Sequence, residues 1–229
     1  MNDQANIPIL YSFRRCPFAM RTRAVLFFSK IDVILREVVL RNKPKKMLIA
    51  SEKGTVPVLI LKDKVIDESL EIIIWALNIR DDLNLLEPYK KEKKNVLKLI
   101  YQIDNEFKFH LDRYKYSSRY LDAKDFKGKN FHRDIAANYL HDIEKKLKEN
   151  NNLYLYNNKL SVVDLSIFPL IRQFRIANEK WFDENPKFSF ISKWLNNILE
   201  LDFYKVIMKK YKPWTELSAP EIFTSNLKV

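Results

Sequence analysis

The chain has one cysteine, Cys16, and two glycines, Gly54 and Gly128, among 229 residues. A single cysteine cannot close an internal disulfide. That excludes a secreted, disulfide-stapled scaffold and leaves a cytoplasmic setting as the expectation. No stretch offers about 18 uncharged apolar residues, which excludes a membrane-spanning helix. The N-terminus, Met1 to Ile7, is polar and lacks the basic-then-apolar layout of a signal peptide. Histidines are also scarce. His110, His132 and His141 show no His/Cys pairing of zinc type, so no metal is expected. What the chain does have is core-forming material: 47% of it is hydrophobic and 13% aromatic, incompatible with global disorder. Its length fits one or two domains at roughly 100–200 residues each.

The formal charge is +12, from 41 Lys and Arg against 29 Asp and Glu. Phosphate neutralisation by a nucleic-acid-binding protein needs clustered cations. Here the excess is spread: residues 1–80 carry 14 basic and 8 acidic side chains (+6), and residues 81–229 carry 27 and 21 (+6). Lysines alternate with acids in stretches such as Glu144-Lys145-Lys146-Leu147-Lys148-Glu149, which reads as a solvated helix face. Nucleic acid is therefore not the expected partner.

Periodicity divides the chain. Residues 7–13 read as a short buried strand. From Pro17 the period is helical, with Met20, Ala24, Phe27 and Ile31 on one face. Residues 33–40 return to a β-branched strand, Asn42-Lys43-Pro44 breaks it, and Met47, Leu48 and Ile49 sit on a short helix or turn. Val56 to Leu61 and Val65-Ile66 read as two strands joined at Lys62-Asp63-Lys64. Leu70, Ile73, Ile74 and Leu77 then mark a helix. The order β-α-β-α-β-β-α predicts a parallel first pair joined by a crossover helix, then an antiparallel hairpin.

Residues 81–92, with Pro88, suit a linker, and 93–229 reads helical with a C-terminal tail. Three stripes support this: Leu99, Ile103, Phe107, Leu111; then Ile135, Tyr139, Ile143, Leu147; then Ile191, Trp194, Leu195, Ile198. Ser161 and Asp164 form a capping box at the start of a helix over about 162–176, flanked by a Leu160/Leu165 staple. That helix is apolar almost all round, and Pro169 is expected to kink it. The asparagine runs at 150–152 and 157–158 are loop material. The tail from 213 has no clear period, with Trp214, Ile222 and Phe223 available to pack back on the body.

Chemistry concentrates at Phe13-Arg14-Arg15-Cys16-Pro17-Phe18-Ala19, between the first strand and the first helix. Cys16 occupies the capping position and Pro17 the first helical one, where its missing N–H costs nothing. A sulfur there faces unpaired N–H groups and the positive end of the helix dipole. The expectation is a thiolate that forms below the reference pKa of about 8.5. Against this stands the ordinary fate of a free cysteine, a small buried hydrophobe. Ala19 stands where a dithiol oxidoreductase needs its second cysteine, so any redox cycle must run through a mixed disulfide with an external thiol.

Cys16-Pro17-Phe18-Ala19, Thr55-Val56-Pro57-Val58-Leu59 and Asp67-Glu68-Ser69, in that order, resemble the three glutathione-site motifs of the glutathione transferase family. Leu40-Arg41-Asn42-Lys43-Pro44 is similar to its cysteine-type, omega-like class. Ser161-x-x-Asp164 and Ile167-Phe168-Pro169-Leu170-Ile171-Arg172 extend the resemblance into the helical half, to about residue 200. The resemblance implies an α/β thioredoxin-like N-terminal domain (1–80) and an all-α C-terminal domain, with glutathione as co-substrate and a homodimer.

It also implies roles. Cys16 would be catalytic. Pro57 would be a cis-proline that turns the Val56 backbone towards the cysteinyl part of glutathione. Ser69 and the helix start behind it would hold the γ-glutamyl carboxylate, and Glu68 the ammonium. Lys43 would reach the glycyl carboxylate, Phe18 would line the glutathione site, and Tyr114 would border a second-substrate pocket. Tyr11 and Ser12, whose counterparts activate glutathione in other classes, are read as bystanders. The implied activity is that of a thiol transferase on mixed disulfides, dehydroascorbate-like acceptors or a small electrophile. The alternative is a non-catalytic binding module for a protein partner.

Overall fold

The computed structural model describes residues 7–149, 153–156 and 159–225. The polar N-terminus before Ile7 and the two asparagine runs lie outside the described residues. The chain forms two compact units: residues 1–86 together with 201–229, and residues 87–200.

The first unit is built on a five-stranded sheet in the order β4-β3-β1-β2-β5. Its strands are β1 (Ile9–Ser12), β2 (Val33–Glu37), β3 (Val58–Ile60), β4 (Val65–Ile66) and β5 (Ile222–Phe223). As expected, β1 and β2 are parallel, with Ile9 opposite Ile34, and β3 runs antiparallel to both β1 and β4. Between them run α1 (Pro17–Phe28), α2 (Lys45–Ala50) and α3 (Ser69–Ile79). β-branched and aromatic residues on β1 to β3 bury their side chains, so Leu10, Tyr11, Val33, Val58 and Leu59 are closed to solvent.

α1 departs from its expected single stripe. Every residue from Ala19 to Leu26 is buried, Arg21 and Arg23 among them, and Ile31 lies beyond the helix end. α3 and α12 (Asp202–Ile207) both pack against α1, which leaves it little solvent face.

The expected boundary at 93–229 needs correction, because residues 201–225 belong with the first unit. After α12 the chain runs along β2: the Trp214 N–H donates to the Glu37 carbonyl (2.9 Å) and the Leu35 N–H to the Glu221 carbonyl (2.8 Å). β5 then pairs antiparallel with β2, Phe223 opposite Val33. Phe223 is fully buried, which anchors a strand of only two residues.

The second unit is helical. The expected linker is not one throughout, since residues 87–91 form α4 (Glu87–Lys91) with Pro88 buried at its start. α5 (Lys93–Tyr101) continues through a π-helical turn, Gln102–Phe107, into α6 (Lys108–Lys115). α7 (Lys129–Asn138), α8 (His141–Glu149), α9 (Val162–Ala177), α10 (Glu179–Asp183) and α11 (Ser189–Glu200) follow. α9 forms the centre of the unit, with Val162 to Ile171 all buried, and it is a single helix that includes Pro169.

Its start is fixed by Asp164, fully buried. One carboxylate oxygen accepts from the Ser161 N–H (2.9 Å) and hydroxyl (2.6 Å). The other accepts from the Leu155 N–H (2.9 Å) and the Trp194 Nε1–H (2.9 Å). Burial pushes this carboxyl up, and those four donors offset it only in part. Among the described residues, no helix is long and apolar enough to cross a membrane.

Candidate functional site

Cys16 closes a turn in which its N–H donates to the Phe13 carbonyl (3.0 Å). Its backbone is extended (φ −71°, ψ 124°), Pro17 opens α1, and the first helical bond runs from the Met20 N–H to the Cys16 carbonyl (2.9 Å). This is the N-cap geometry the sequence calls for. The amides of Ala19 and Phe18 face the sulfur, with the cations of Arg23 and Arg21 nearby. Even so, burial outweighs them and pushes the Cys16 thiol above its ordinary range. The expectation of a depressed pKa is therefore corrected. The thiol keeps its proton and Sγ donates to the Val56 carbonyl, 3.5 Å away.

That carbonyl belongs to the Val56–Pro57 peptide, which is cis as expected for Pro57. Val58, next in line, is the first residue of β3 and sits opposite Tyr11 on β1. Cys16 thus packs on the same apolar cluster as Tyr11, Ala19, Val56 and Val58, joined there by Trp214.

A polar cluster forms at the start of α3. The Ser69 hydroxyl is buried and accepts from both Nε (3.1 Å) and a terminal nitrogen (2.8 Å) of Arg21. Arg21 itself lies over the Phe18 ring, 4.9 Å from its centroid. Phe18 is therefore half-buried support for Arg21, on the same turn that carries the sulfur. Glu68 is exposed and accepts from Lys53 Nζ (2.6 Å). Asp67 accepts from the same ammonium (3.0 Å) and from the Ser51 hydroxyl (2.7 Å). The two carboxylates hold the Lys53 ammonium well above its ordinary range, and the Ser51 hydroxyl, then Lys53, hold Asp67 low. Lys43 is exposed, its ammonium lying beside Gly54, where φ is +60° and a Cβ would sit 3.6 Å from Nζ.

Two family models match in sequence order: "Glutathione S-transferase, N-terminal domain" over residues 10–82, and "Glutathione S-transferase, C-terminal domain" over residues 106–202. The chain belongs to the glutathione S-transferase family. A curated relative from Caenorhabditis elegans, "Probable maleylacetoacetate isomerase", is 26% identical over 169 residues, covering 72% of this chain and 77% of its own. Two solved structures superpose with a TM-score of 0.74. The Tau class transferase from mango is 20% identical and covers 90% of this chain and 94% of its own. A transferase from Pseudomonas putida, solved with one glutathione disulfide bound per subunit, is 15% identical and covers 90% and 93%.

In this transferase the other hydroxyls on β1 are committed elsewhere. Tyr11 is buried, its hydroxyl accepting from Arg36 (2.6 Å), and the Ser12 hydroxyl accepts from Arg23. That is consistent with reading both as bystanders. Tyr114, expected to border a second-substrate pocket, lies on α6. It is 1% exposed, with its ring 5.4 Å from that of Phe174 and its hydroxyl unpartnered among the described residues. Burial pushes its phenol up. Sequence reasoning missed Arg21, Arg23, Ser51 and Lys53. Two arginines inside an otherwise apolar α1 were the available signal, since buried charge needs a partner. Among the described residues no group of three or more His, Cys, Asp or Glu side chains is placed to hold a metal ion.

Proposed function

We propose that this transferase is a thiol transferase of cysteine, omega-like type that works through a mixed disulfide between Cys16 and glutathione. The single observation that carries the reading is Cys16 Sγ at the N-terminus of α1, 3.5 Å from the carbonyl that precedes cis-Pro57. A glutathione laid along Val56 brings its own sulfur beside this thiol. Ser69 and Glu68 hold its γ-glutamyl end, Lys43 its glycyl carboxylate, and Phe18 flanks it.

Cys16 first gives up its thiol proton; the thiolate attacks the glutathionyl sulfur of a mixed disulfide, R–S–SG, giving Cys16–S–SG and RS⁻, which takes up a proton. A glutathione thiolate then attacks the glutathionyl sulfur of that adduct, giving glutathione disulfide and restoring the Cys16 thiolate. The net reaction is R–S–SG plus glutathione to RSH plus glutathione disulfide. A dehydroascorbate-like acceptor needs a different first step: the Cys16 thiolate adds to its carbonyl. One glutathione thiolate then attacks the Cys16 sulfur to form Cys16–S–SG and release the acceptor reduced by two electrons. A second glutathione gives glutathione disulfide and restores Cys16. The acceptor class, the cytoplasmic setting and a homodimer are part of the same proposal.

Intact mass after treatment with oxidised glutathione tests it. One glutathione per chain is expected on the wild type and none on Cys16→Ala. That variant should lose turnover of a glutathionylated peptide yet still bind glutathione by calorimetry. Turnover that survives in Cys16→Ala overturns the mechanism and favours chemistry on glutathione's own thiol. Absence of glutathione binding, with one stoichiometric macromolecular partner, overturns the enzyme reading in favour of a binding module.

A further inference from the structure

Arg23 is 1% exposed in the middle of α1, a position where an uncompensated charge is costly. Its guanidinium reaches three acceptors on three separate segments. Nε donates to the Ile207 carbonyl at the end of α12 (2.9 Å), and one terminal nitrogen donates to the Ser12 hydroxyl at the end of β1. The other donates to the Arg14 carbonyl (2.8 Å), in the loop that ends at Cys16. Glu37 holds the same loop, its carboxylate accepting from the Arg14 N–H (2.8 Å). The Glu37 carbonyl in turn accepts from Trp214, and Trp214 packs on the cluster that contains Cys16.

We propose that Arg23 is a positioning residue for Cys16, and that its bond to Ile207 makes the C-terminal segment part of the support beneath the reacting thiol. The proposal rests on the reading of Cys16 as that thiol. Arg14 is held at both its N–H and its C=O, which fixes the loop one turn before the sulfur. Only a guanidinium fork satisfies three acceptors that diverge in this way, so lysine is not an equivalent.

The charged groups facing this node come from every element around it: Cys16 and Arg14 from the loop, Glu37 from β2, Tyr211 from beyond α12, and Arg21 and Arg23 from α1. Glu37 and Cys16 favour the charged form of Arg23, while burial lowers it to about 10. Arg23 favours the thiolate of Cys16. The two carry opposite charge at this node: Arg23 draws the thiol down, and Glu37 is the carboxylate that partners Arg23.

The pH profile of Cys16 alkylation by iodoacetamide in the full-length chain tests this, because it needs no turnover. Arg23→Met should raise the midpoint and slow alkylation near neutral pH by about tenfold, the equivalent of one pKa unit. Glu37→Gln should lower the midpoint. Arg23→Lys should restore the midpoint in part but leave thiol-transferase kcat depressed, with the glutathione KM little changed. In Trp214→Ala, amide exchange should quicken at residues 14–16 as well as along β2. A midpoint that does not move in Arg23→Met, or that moves the same way in both charge variants, overturns the proposal. If Arg23→Met fails to fold, Glu37→Gln decides alone, and an unchanged or raised midpoint sinks the idea. Exchange that quickens only along β2 removes the coupling to the C-terminal segment. Failure of the thiol-transferase reading would show differently, as a wild type that forms no glutathione adduct.

Discussion

Cys16 and Val56 lie 40 residues apart in the chain, yet the thiol of one donates to the carbonyl of the other at 3.5 Å. Both the acceptor and the burial of the sulfur favour the protonated form, and the Ala19 and Phe18 amides only moderate this. The resting site is thus a thiol held beside the backbone on which the peptide ligand is proposed to dock.

A pH dependence of stability follows. The folded pKa of Cys16 is raised, so its contribution is fully present below the unfolded value of about 8.5. It is lost as pH rises through the folded pKa. Urea unfolding of the wild type should show stability falling across the alkaline range, and Cys16→Ala should remove that part of the slope. Equal slopes in both proteins would mean that the thiol is not held protonated.

Arg21 and Ser69 give the second prediction. Ser69→Ala deletes the acceptor of two guanidinium N–H bonds and the hydroxyl proposed to meet the γ-glutamyl carboxylate. Glutathione affinity by calorimetry should fall about tenfold, about 1.4 kcal/mol, the size of one hydrogen bond to a charged group. Cys16→Ala should cost much less. Equal losses would place the carboxylate elsewhere.

The parallel first pair and the antiparallel hairpin were legible because strand and helix periods alternate cleanly over residues 7–79, and the capping box because Ser161 and Asp164 are three residues apart. What failed was non-local. β5 is two residues long and has no alternation of its own; its place is set by Phe223 filling the far edge of β2. Nothing near Arg21 and Arg23 in sequence shows the Ser69, Arg14 and Ile207 oxygens that receive them. The stripe through Leu99 is displaced to Ile100, because the π-helical turn shifts the buried face. The stripe from Ile135 to Leu147 is broken between α7 and α8, around Tyr139 and Leu140.

Asp164 shows how far a local motif under-reports its own importance. The sequence links it to Ser161, but the fold adds Leu155 and Trp194, the latter 30 residues away. Asp164→Ala leaves these buried donors without an acceptor, which should cost about 3 kcal/mol or more in chemical unfolding. Trp194 fluorescence should report the same transition. A loss below about 1 kcal/mol would show that water replaces the carboxylate.

The last prediction concerns His110 and His132, whose Nδ1 atoms approach to 2.9 Å where α6 meets α7. The Lys127 N–H donates to His132 Nε2 (3.4 Å). That assigns the His132 proton to Nδ1, which donates to an unprotonated His110 Nδ1. Neither ring can take a second proton without setting two donors against each other. Burial lowers both pKa values, with Arg113 and, for His132, Lys127 acting the same way, and Asp125 in opposition. Because the folded values lie below the unfolded one, the contribution is fully present above about pH 6.5 and is lost as pH falls through the folded pKa values. Acidification should therefore loosen the loop between α6 and α7 first, where Phe126 stacks on His132 at 5.4 Å. Amide exchange over residues 116–128 should quicken below about pH 6 while β1 and β2 stay protected. His110→Phe should flatten that response. Uniform acid loosening of both units, unchanged in the variant, would show that the pair plays no part.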